Sequence, residues 1–311
     1  MESMVEICGK ECLLEGILIR VLRIDAEGYD YFDDPFEALR EIRAGRTKAD
    51  LFTFVQKPSE TDAKYNLYWE ADNFACLTIT SYDHWISQQI DSRVPTKIRK
   101  SAKAGVTVRE VEFDEVLVKG ISEIYNESPV RQGKPFWHYR KEIDEVRRMN
   151  ATFLDRSIFI GAYLDGALIG FIKMVTSEDR TLAGPMQIVS MISQRDKAPN
   201  NALMAQAVKS CAERGIKHLL YGNFSFGKKL QDSLADFKRH NGFQKVEVPR
   251  YYVPLTLPGQ VALRLGLHHR FKERIPEPIA RTFRAFRTRW YASKYAVAGS
   301  SRKSAANGSL Q

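Results

Sequence analysis

A segment of fifteen residues near the middle of the chain is rich in side chains that can bind or catalyse. It combines a carboxylate, an imidazole, further polar groups and two large aromatic rings: Glu127, Arg131, Gln132, Lys134, Trp137, His138 and Tyr139. Glu127 or His138 could act as a general base, and Arg131 could hold a carboxylate or phosphate through two parallel hydrogen bonds. Such a set on a loop favours a binding site in which the two rings contact the ligand. The alternative is a surface loop in which the rings of Phe136 and Trp137 fill the core.

A second candidate set lies at the end of a short apolar run. Tyr221, Asn223 and Ser225 alternate along the chain and, in a strand, share one face. The Tyr221 hydroxyl could protonate a leaving group, while Asn223 and Ser225 could bind the substrate. Alternatively, the neighbouring glycines only mark a turn with polar residues.

A third set precedes and opens a helix that begins near Pro199. The unpaired backbone N–H groups and the dipole of a helix N-terminus favour an anion, and nearby basic side chains add charge. The candidate anion-binding residues are Ile192, Arg195, Lys197, Ala198, Asn200 and Asn201. The loop before this helix contains no glycine. The alternative is a capped helix that binds nothing.

Several other kinds of site are excluded by their missing motifs. The sequence contains no Gly-x-Ser-x-Gly elbow, Walker loop, dinucleotide-binding fingerprint or His-Glu-x-x-His. The four cysteines and six histidines are scattered, which predicts a protein without a structural metal or a disulfide framework. Cys211 lies on an apolar helix face and is expected in the core. With an acidic N-terminus and no apolar run long enough to span a bilayer, we expect a cytoplasmic protein.

Alternating strands and helices must position these residues. In the first half we predict a strand over 13–24, a helix from Pro35 capped by the preceding aspartates, and strands over 51–55, 66–71 and 74–80. A helix from His84 to Gly105, capped by Asp83 and bent at Pro95, should follow. In the second half we predict the strands 106–111, 157–164, 167–176, 186–192, 216–222 and 244–255. The helices should cover 114–127, 138–149, 199–215 and 228–240, and an Asp165-Gly166 turn predicts a hairpin.

This element order resembles the GNAT acyltransferase fold. Asn200–Gly215 looks like the acyl-CoA-binding helix of that superfamily, and Leu234–Phe243 is similar to the "FK…GF" ending of its Fem-like branch, which includes peptidoglycan aminoacyl transferases. Trp85–Val108 is similar to the basic helix that joins the two halves of Fem proteins. Ordinary GNAT enzymes hold the CoA pyrophosphate with a Gly-rich loop. Since Fem-like proteins also lack that loop, its absence favours their branch.

The resemblance implies a mixed α/β sheet flanked by helices, with a smaller and degenerate GNAT-like N-terminal half. It divides residues 1–258 into that half (1–83), a junction helix (84–105) and a GNAT acyltransferase domain (106–258), while composition predicts a basic helical tail (259–311), whose end should be disordered. It also implies an N-acyltransferase in which an amine, on a small molecule or a lipid-linked acceptor, attacks the donor directly. Acetyl-CoA or another acyl-CoA is the favoured donor. Aminoacyl-tRNA with a cell-wall precursor as acceptor is an alternative, and a catalytically inactive scaffold is another.

The charge of the chain lies almost entirely in its tail. The chain has 47 Lys+Arg and 38 Asp+Glu, but 259–303 alone contains eleven Lys/Arg and two Glu, so residues 1–258 are balanced. Net charge therefore gives no argument that the body binds nucleic acid. A helix over 279–297 would place aromatic residues on one side and arginines around the rest, which suits the surface of an anionic membrane. The alternative is a helix that packs its apolar stripe against the body.

Overall fold

The computed structural model describes residues 2–45, 47–224 and 233–268. The strands are Glu2–Ile7 (β1), Lys10–Glu15 (β2), Val21–Ile24 (β3), Leu51–Val55 (β4), Trp69–Thr78 (β5), Thr107–Val111 (β6), Val130–Arg131 (β7), Lys134–Pro135 (β8), Ser157–Leu164 (β9), Ala167–Thr176 (β10), Leu182–Ser190 (β11), His218–Leu220 (β12) and Gln244–Pro254 (β13). The helices are Pro35–Ala44 (α1), Tyr82–His84 (α2), Arg93–Lys103 (α3), Glu115–Asn126 (α4), Ile143–Asn150 (α5), Pro199–Glu213 (α6), Ser233–His240 (α7) and Leu257–Arg264 (α8). The predicted mixed α/β fold is confirmed.

One sheet runs through both halves of the described chain. Its eleven strands follow the order β1-β2-β3-β4-β13-β5-β12-β11-β10-β9-β6, while β7 and β8 form a separate small hairpin. The last strand, β13, lies between β4 and β5 and is antiparallel to both. The parallel pair β11–β12 is short, because only Leu182 and Ala183 are in register with β12. Beyond this point β11 and β12 separate, and the sheet opens.

Helices cover both faces of the sheet in the second half. On one face α6 packs with α3 and buries apolar residues such as Leu203, Met204 and Val208 against β9 and β10. On the other face α4 buries Leu117, Val118 and Ile121 against Phe159 and Phe171, with α5 beside it. Residues of β10 alternate between these two cores, as a strand buried on both sides requires. A third core belongs to the N-terminal strands, α1 and β13.

The predicted elements of the first half are partly confirmed. Helix α1 begins at Pro35, and the Asp34 side chain accepts a hydrogen bond from the Phe36 amide, as expected of an N-cap. The single strand predicted over 13–24 is wrong, since a turn at Gly16 separates β2 from β3. The two strands predicted over 66–71 and 74–80 form one strand, β5. Strand β1 was not predicted.

The prediction of one continuous junction helix is wrong. The helix is capped by Ser81, not Asp83, and α2 continues into a wider turn over Trp85–Gln89, after which the helical conformation is interrupted. Helix α3 then begins at Arg93, so that Pro95 lies in its first turn and not at a bend. Trp85 is fully buried, and its indole N–H donates to the Asn241 carbonyl at 3.0 Å. This anchor stabilises the irregular turn.

The second half follows the predicted order. The hairpin of β9 and β10 is confirmed with its boundaries, α6 begins at the predicted Pro199, and α4 begins one residue after the predicted start. Strand β11 begins before the predicted 186, and the helix predicted over 138–149 is the shorter α5. Residues 228–232 and the helix predicted over 279–297 lie outside the described residues. The division of the chain into domains stays a prediction.

Candidate active site

The opening between β11 and β12 leads into a cavity of about 420 Å³. It lies on the α6 face and is lined by residues of six separate segments: Lys97, Gln132, Ile188, Ser190, Arg195, Ala198, Pro199, Asn200, Asn201, Tyr221, Ser233, Leu234 and Phe237. The predicted residues Tyr221, Arg195, Ala198, Asn200 and Asn201 therefore meet at one place. The cavity combines cationic, amide and phenol groups with an apolar wall.

A β-bulge in β11 shapes this opening. Lys173 pairs with Gln187 while the next residue, Met174, pairs with Pro185, so one extra residue stands in β11. The bulge shifts the alternation of the strand, because Ala183 before it and Ile188 after it both pack on the α6 side. Gln187 consequently points to the α4 side, where its amide lies 3.1 Å from His138.

Tyr221 lies directly after β12 and is continuous with the cavity wall. Burial raises the pKa of its phenol, so the hydroxyl keeps its proton at physiological pH. The ammonium of Lys238 lies 4.7 Å from the centre of the Tyr221 ring and donates to the Asn223 carbonyl at 2.6 Å. Lys238 is 1% exposed, which is rare for a lysine. A protonated phenol beside a buried cation suits a group that gives a proton to a leaving atom.

Asn223 and Tyr221 do not line the same cavity. Gly222 between them has φ +54°, so the strand pattern of alternating side chains ends there. The Asn223 amide donates to Asp72 at 3.3 Å, and Asn223 lines a separate cavity of about 120 Å³ together with Glu27, Tyr29, Gly222 and Arg250. This small cavity also contacts Leu220, which faces away from the α6 core. The two cavities thus lie on opposite sides of the same strand end. Ser225 lies outside the described residues.

The small cavity is strongly polar. Arg250 donates to both carboxylate oxygens of Glu27, at 2.8 and 3.0 Å, and to Asp72 at 2.9 Å. Although burial opposes its charge, these two carboxylates raise the pKa of Arg250. Tyr29 borders the same cavity and lies against Gly184 of β11, where a Cβ would be 3.1 Å from the tyrosine ring. The cavity is therefore placed beside the opening of the sheet.

Glu127 caps the loop that precedes α6. Its carboxylate accepts from the backbone amides of Ile192 at 2.6 Å and Ser193 at 2.8 Å, and from the Ser193 hydroxyl at 2.7 Å. Burial opposes ionisation, but the bonds from Ser193 and Ile192 outweigh it and lower the pKa of the carboxyl. A carboxylate held this way is a weak base, and its contacts describe a structural anion.

Arg131 ties together the elements around this loop. Its guanidinium donates to the carbonyls of Ser190 at 2.6 Å and Ile124 at 2.7 Å, and to Glu127 at 3.2 Å. It also stacks on the Phe136 ring at 4.6 Å. These contacts use both terminal nitrogens of the guanidinium, while Nε is buried without a hydrogen-bond partner among the described residues. Arg131 therefore links α4 to the end of β11 and has a structural role.

His138 is buried and neutral. Burial, with the positive charges of Lys141 and Arg131, lowers the pKa of its imidazole to about 4. Its Nε2 accepts from the Trp137 indole at 3.0 Å, whereas Nδ1 is buried without a hydrogen-bond partner among the described residues. Phe136 packs into the α4 core, but Trp137 is 67% exposed. The idea that both rings fill the core therefore holds for Phe136 alone.

Some of the remaining predicted residues line the large cavity and others do not. Asn200 lines it, and its side-chain oxygen is buried without a hydrogen-bond partner in the described chain. Ala198 has φ +53° and starts α6 without a side-chain cap. Lys197 pairs with Asp196 at 3.6 Å and does not line the cavity, and Ile192 donates its amide to Glu127. Tyr139 is half-buried beneath the guanidinium of Arg140.

Two residues of the site escaped the sequence analysis: Lys97, which lines the cavity, and Lys238, which lies against the Tyr221 ring. Lys97 was considered only as part of a basic helix, and Lys238 only as part of a motif-like ending. Lys238 follows Leu234 and Ala235 at helical spacing, and a lysine on the apolar face of a short helix is the sequence signal that could have indicated it, because lysines are seldom buried without a role. Within the described residues, no group of three or more His, Cys, Asp and Glu is placed to hold a metal ion.

Three solved structures share this architecture. FemX aligns with a TM-score of 0.60 and 12% identity over 85% of this chain and 90% of that chain. The L-PGS from Bacillus licheniformis gives 0.56 and 14% over 86% and 90% of the two chains. The C-terminal domain of a putative lysylphosphatidylglycerol synthetase from Agrobacterium fabrum gives 0.54 and 14% over 86% and 88%. All three are GNAT-fold proteins.

The chain has the GNAT fold. Its resemblance to the Fem-like branch is confirmed at the level of the fold, including the extension of the sheet into an N-terminal half. No model of a protein family matches the sequence, and no curated protein matches it. In this chain the glycine-free loop before α6 forms a 3₁₀ turn over Ile192–Lys197, which Glu127 holds in place.

Proposed function

We propose that the protein transfers an acyl or aminoacyl group from an activated donor to an amine. The observation that carries this proposal is the opening of the sheet between β11 and β12, with a cavity on each side of Tyr221 and its neighbours. A donor in the large cavity can extend its carbonyl group through the opening, and an acceptor can reach it from the other side. Holding both reactants in line accounts for much of the catalysis in such a reaction.

The proposed chemistry is a direct displacement. The amine nitrogen attacks the donor carbonyl carbon, and the bond from that carbon to the leaving oxygen or sulfur breaks. Tyr221 gives its proton to the leaving atom, and the new amide nitrogen loses a proton to solvent. The buried ammonium of Lys238, 4.7 Å from the centre of the Tyr221 ring, favours the negative charge that develops on the tyrosine. Neither Glu127 nor His138 is needed as a base in this scheme.

The loop before α6 bears on the class of donor. The amides of Ile192 and Ser193, which lie where a backbone cradle for pyrophosphate would begin, already donate to Glu127. The cavity can still attract phosphates through the side chains of Lys97 and Arg195, and Asn200 offers an unpaired acceptor. This arrangement favours an aminoacyl-tRNA over an acyl-CoA, and it leaves acyl-CoA as the second candidate donor.

The acceptor side is defined by the small polar cavity. Glu27 lines this cavity and Asp72 contacts Asn223 beside it, and although both carboxylates are paired with Arg250, their remaining lone pairs are suited to accept a hydrogen bond from an amine close to the opening. The name lysylphosphatidylglycerol synthetase describes the attachment of an amino acid to a lipid, which is consistent with a lipid-linked acceptor as well as with a small molecule. Phosphatidylglycerol offers hydroxyl groups and no amine, so the amine is proposed from the carboxylates of the cavity and not from that likeness. We therefore propose an amine acceptor on either kind of molecule.

The donor can be tested with the purified full-length protein. Binding of acetyl-CoA is measured by calorimetry, and binding of aminoacyl-tRNA by filter retention at two salt concentrations. In each case Lys97→Glu is compared with Lys119→Glu, an exposed lysine of α4 outside the cavity. We expect Lys97→Glu to weaken the true donor about tenfold or more, since a charged hydrogen bond contributes about 1.5–3 kcal/mol. If neither donor binds at millimolar concentration, the proposed function is wrong.

A further inference from the structure

Large aliphatic side chains are exposed at one end of the N-terminal half. In the turn between β2 and β3, Ile17 is 86% and Leu18 is 91% exposed. On α8, Leu257, Val261 and Leu265 are 74%, 53% and 64% exposed. The spacing of the helix residues places them on one face. These five residues are called the apolar surface below.

Asp50 joins the two parts of the apolar surface. Its carboxylate accepts from the Arg20 amide at 2.9 Å, just after the β2–β3 turn, and from the Thr256 hydroxyl at 2.7 Å, at the cap of α8. Its backbone amide donates to the Arg20 carbonyl, and its carbonyl accepts from Leu255. The turn and the start of α8 are therefore fixed to the same residue.

The backbone holds these side chains outward. Gly16 has φ +116°, and a Cβ there would be 2.0 Å from the Ile19 carbonyl oxygen, so the tight turn that presents Ile17 and Leu18 requires glycine. At Gly259 a Cβ would be 1.9 Å from the Asp50 carbonyl oxygen, which brings the inner face of α8 directly onto the body. The outward face of α8 is then the apolar one. Rigid presentation means that no ordering cost is added on binding.

Basic residues adjoin both parts of the apolar surface in the sequence. Arg264 is exposed on α8 next to Leu265, Lys48 is exposed two positions before Asp50, and Arg20 follows the turn. The chain then continues from α8 into residues 269–311, whose sequence has ten Lys/Arg against two Glu. Exposed aliphatic side chains beside clustered basic residues match the two components of an anionic bilayer, its acyl region and its headgroups.

We propose that the apolar surface docks the protein on an anionic lipid bilayer. Ile17, Leu18 and the outward residues of α8 enter the acyl boundary, and the basic residues contact the headgroups. No helix within the described residues is long and apolar enough to cross a membrane, so the surface would act by lying on the bilayer. A bilayer is favoured over a second copy of the chain because the basic residues around the surface would repel their equivalents. This inference does not depend on the identity of the acyl donor.

The test is flotation of the full-length protein with vesicles of phosphatidylcholine alone and with 30 mol% phosphatidylglycerol. Two variants, Ile17→Ser/Leu18→Ser and Val261→Ser/Leu265→Ser, are compared with Val116→Ser. Val116 is 74% exposed on α4 and serves as a matched control. We expect binding to the anionic vesicles only, at low salt, with at least a tenfold loss in each double variant and none in Val116→Ser. Circular dichroism confirms that the variants are folded.

Three results would overturn the proposal. The first is equal flotation of the wild type and both double variants. The second is equal binding to neutral and anionic vesicles. The third is a wild-type dimer, detected by light scattering, that the double variants convert to a monomer without any effect on flotation, because the apolar surface would then be an interface between copies of the chain.

Discussion

Replacing Glu127 by Gln separates a structural role from a catalytic one. The wild-type carboxylate accepts three hydrogen bonds from Ile192 and Ser193 and one from Arg131. Glutamine keeps one acceptor oxygen, but its NH₂ group cannot accept, so at least one loop amide loses its partner. Since bonds to a charged group contribute about 1.5–3 kcal/mol each, we expect a loss of about 2–4 kcal/mol in the free energy of unfolding.

Thermal denaturation and donor binding measure this effect. At roughly 2–4 °C per kcal/mol, the loss corresponds to a Tm lower by about 5–10 °C. The folded pKa of Glu127 lies below its ordinary value of 4.5, so its contribution is present above that pH and is lost as the pH falls through the folded pKa. The difference in stability between wild type and variant should therefore shrink in acid. A variant with wild-type Tm and donor affinity but no turnover would refute this reasoning and make Glu127 the base.

Three further substitutions test the rest of the site. Tyr221→Phe should lower the rate of transfer about 10²- to 10⁴-fold with little change in donor affinity, because it removes the proposed proton donor; a rate within threefold of wild type, from steady-state assays, contradicts that role. Lys238→Met should lower both the rate and the Tm, because the Asn223 carbonyl loses its buried donor. The lost bond should lower the free energy of unfolding by about 1–3 kcal/mol. The same transfer assay and a melting curve measure the two losses, and an unchanged rate would limit Lys238 to a structural role. Gly242→Ala should destabilise the fold by more than Gly215→Ala, since both have positive φ but only at Gly242 would a Cβ lie 2.8 Å from the Gln89 carbonyl; equal melting temperatures of the two variants would exclude this explanation.

Local patterns predicted the second half of the fold well. The β9–β10 hairpin and the starts of α4 and α6 depend on turn and cap residues that act within a few positions, such as Asp114 and Pro199. The wide turn over Trp85–Gln89 depends instead on the bond from Trp85 to Asn241, a contact between distant parts of the chain. The position of β13 between β4 and β5 is also a distant pairing, and no local signal encodes it.

The site was predictable in its location more than in its roles. The positions of Tyr221 and the start of α6 follow from element order, and the structure brings them to one cavity. Asn223 was expected beside Tyr221 because strands alternate, but Gly222 with positive φ breaks that alternation. Glu127 was a reasonable base by residue type. Its hydrogen bonds to a loop that lies far away in sequence could not be read from spacing.

The occupied loop amides also change the function expected of the junction between the halves. Because the backbone amides of Ile192 and Ser193 donate to Glu127, they are not available to bind a phosphate, and side chains must bind it at that part of the loop. Lys97 is a cavity cation supplied by α3, which packs along α6. Helix α3 would then select the donor as well as connect the two halves. Because side-chain cations reach a phosphodiester as readily as a pyrophosphate, binding through Lys97 is compatible with either of the two donors proposed above.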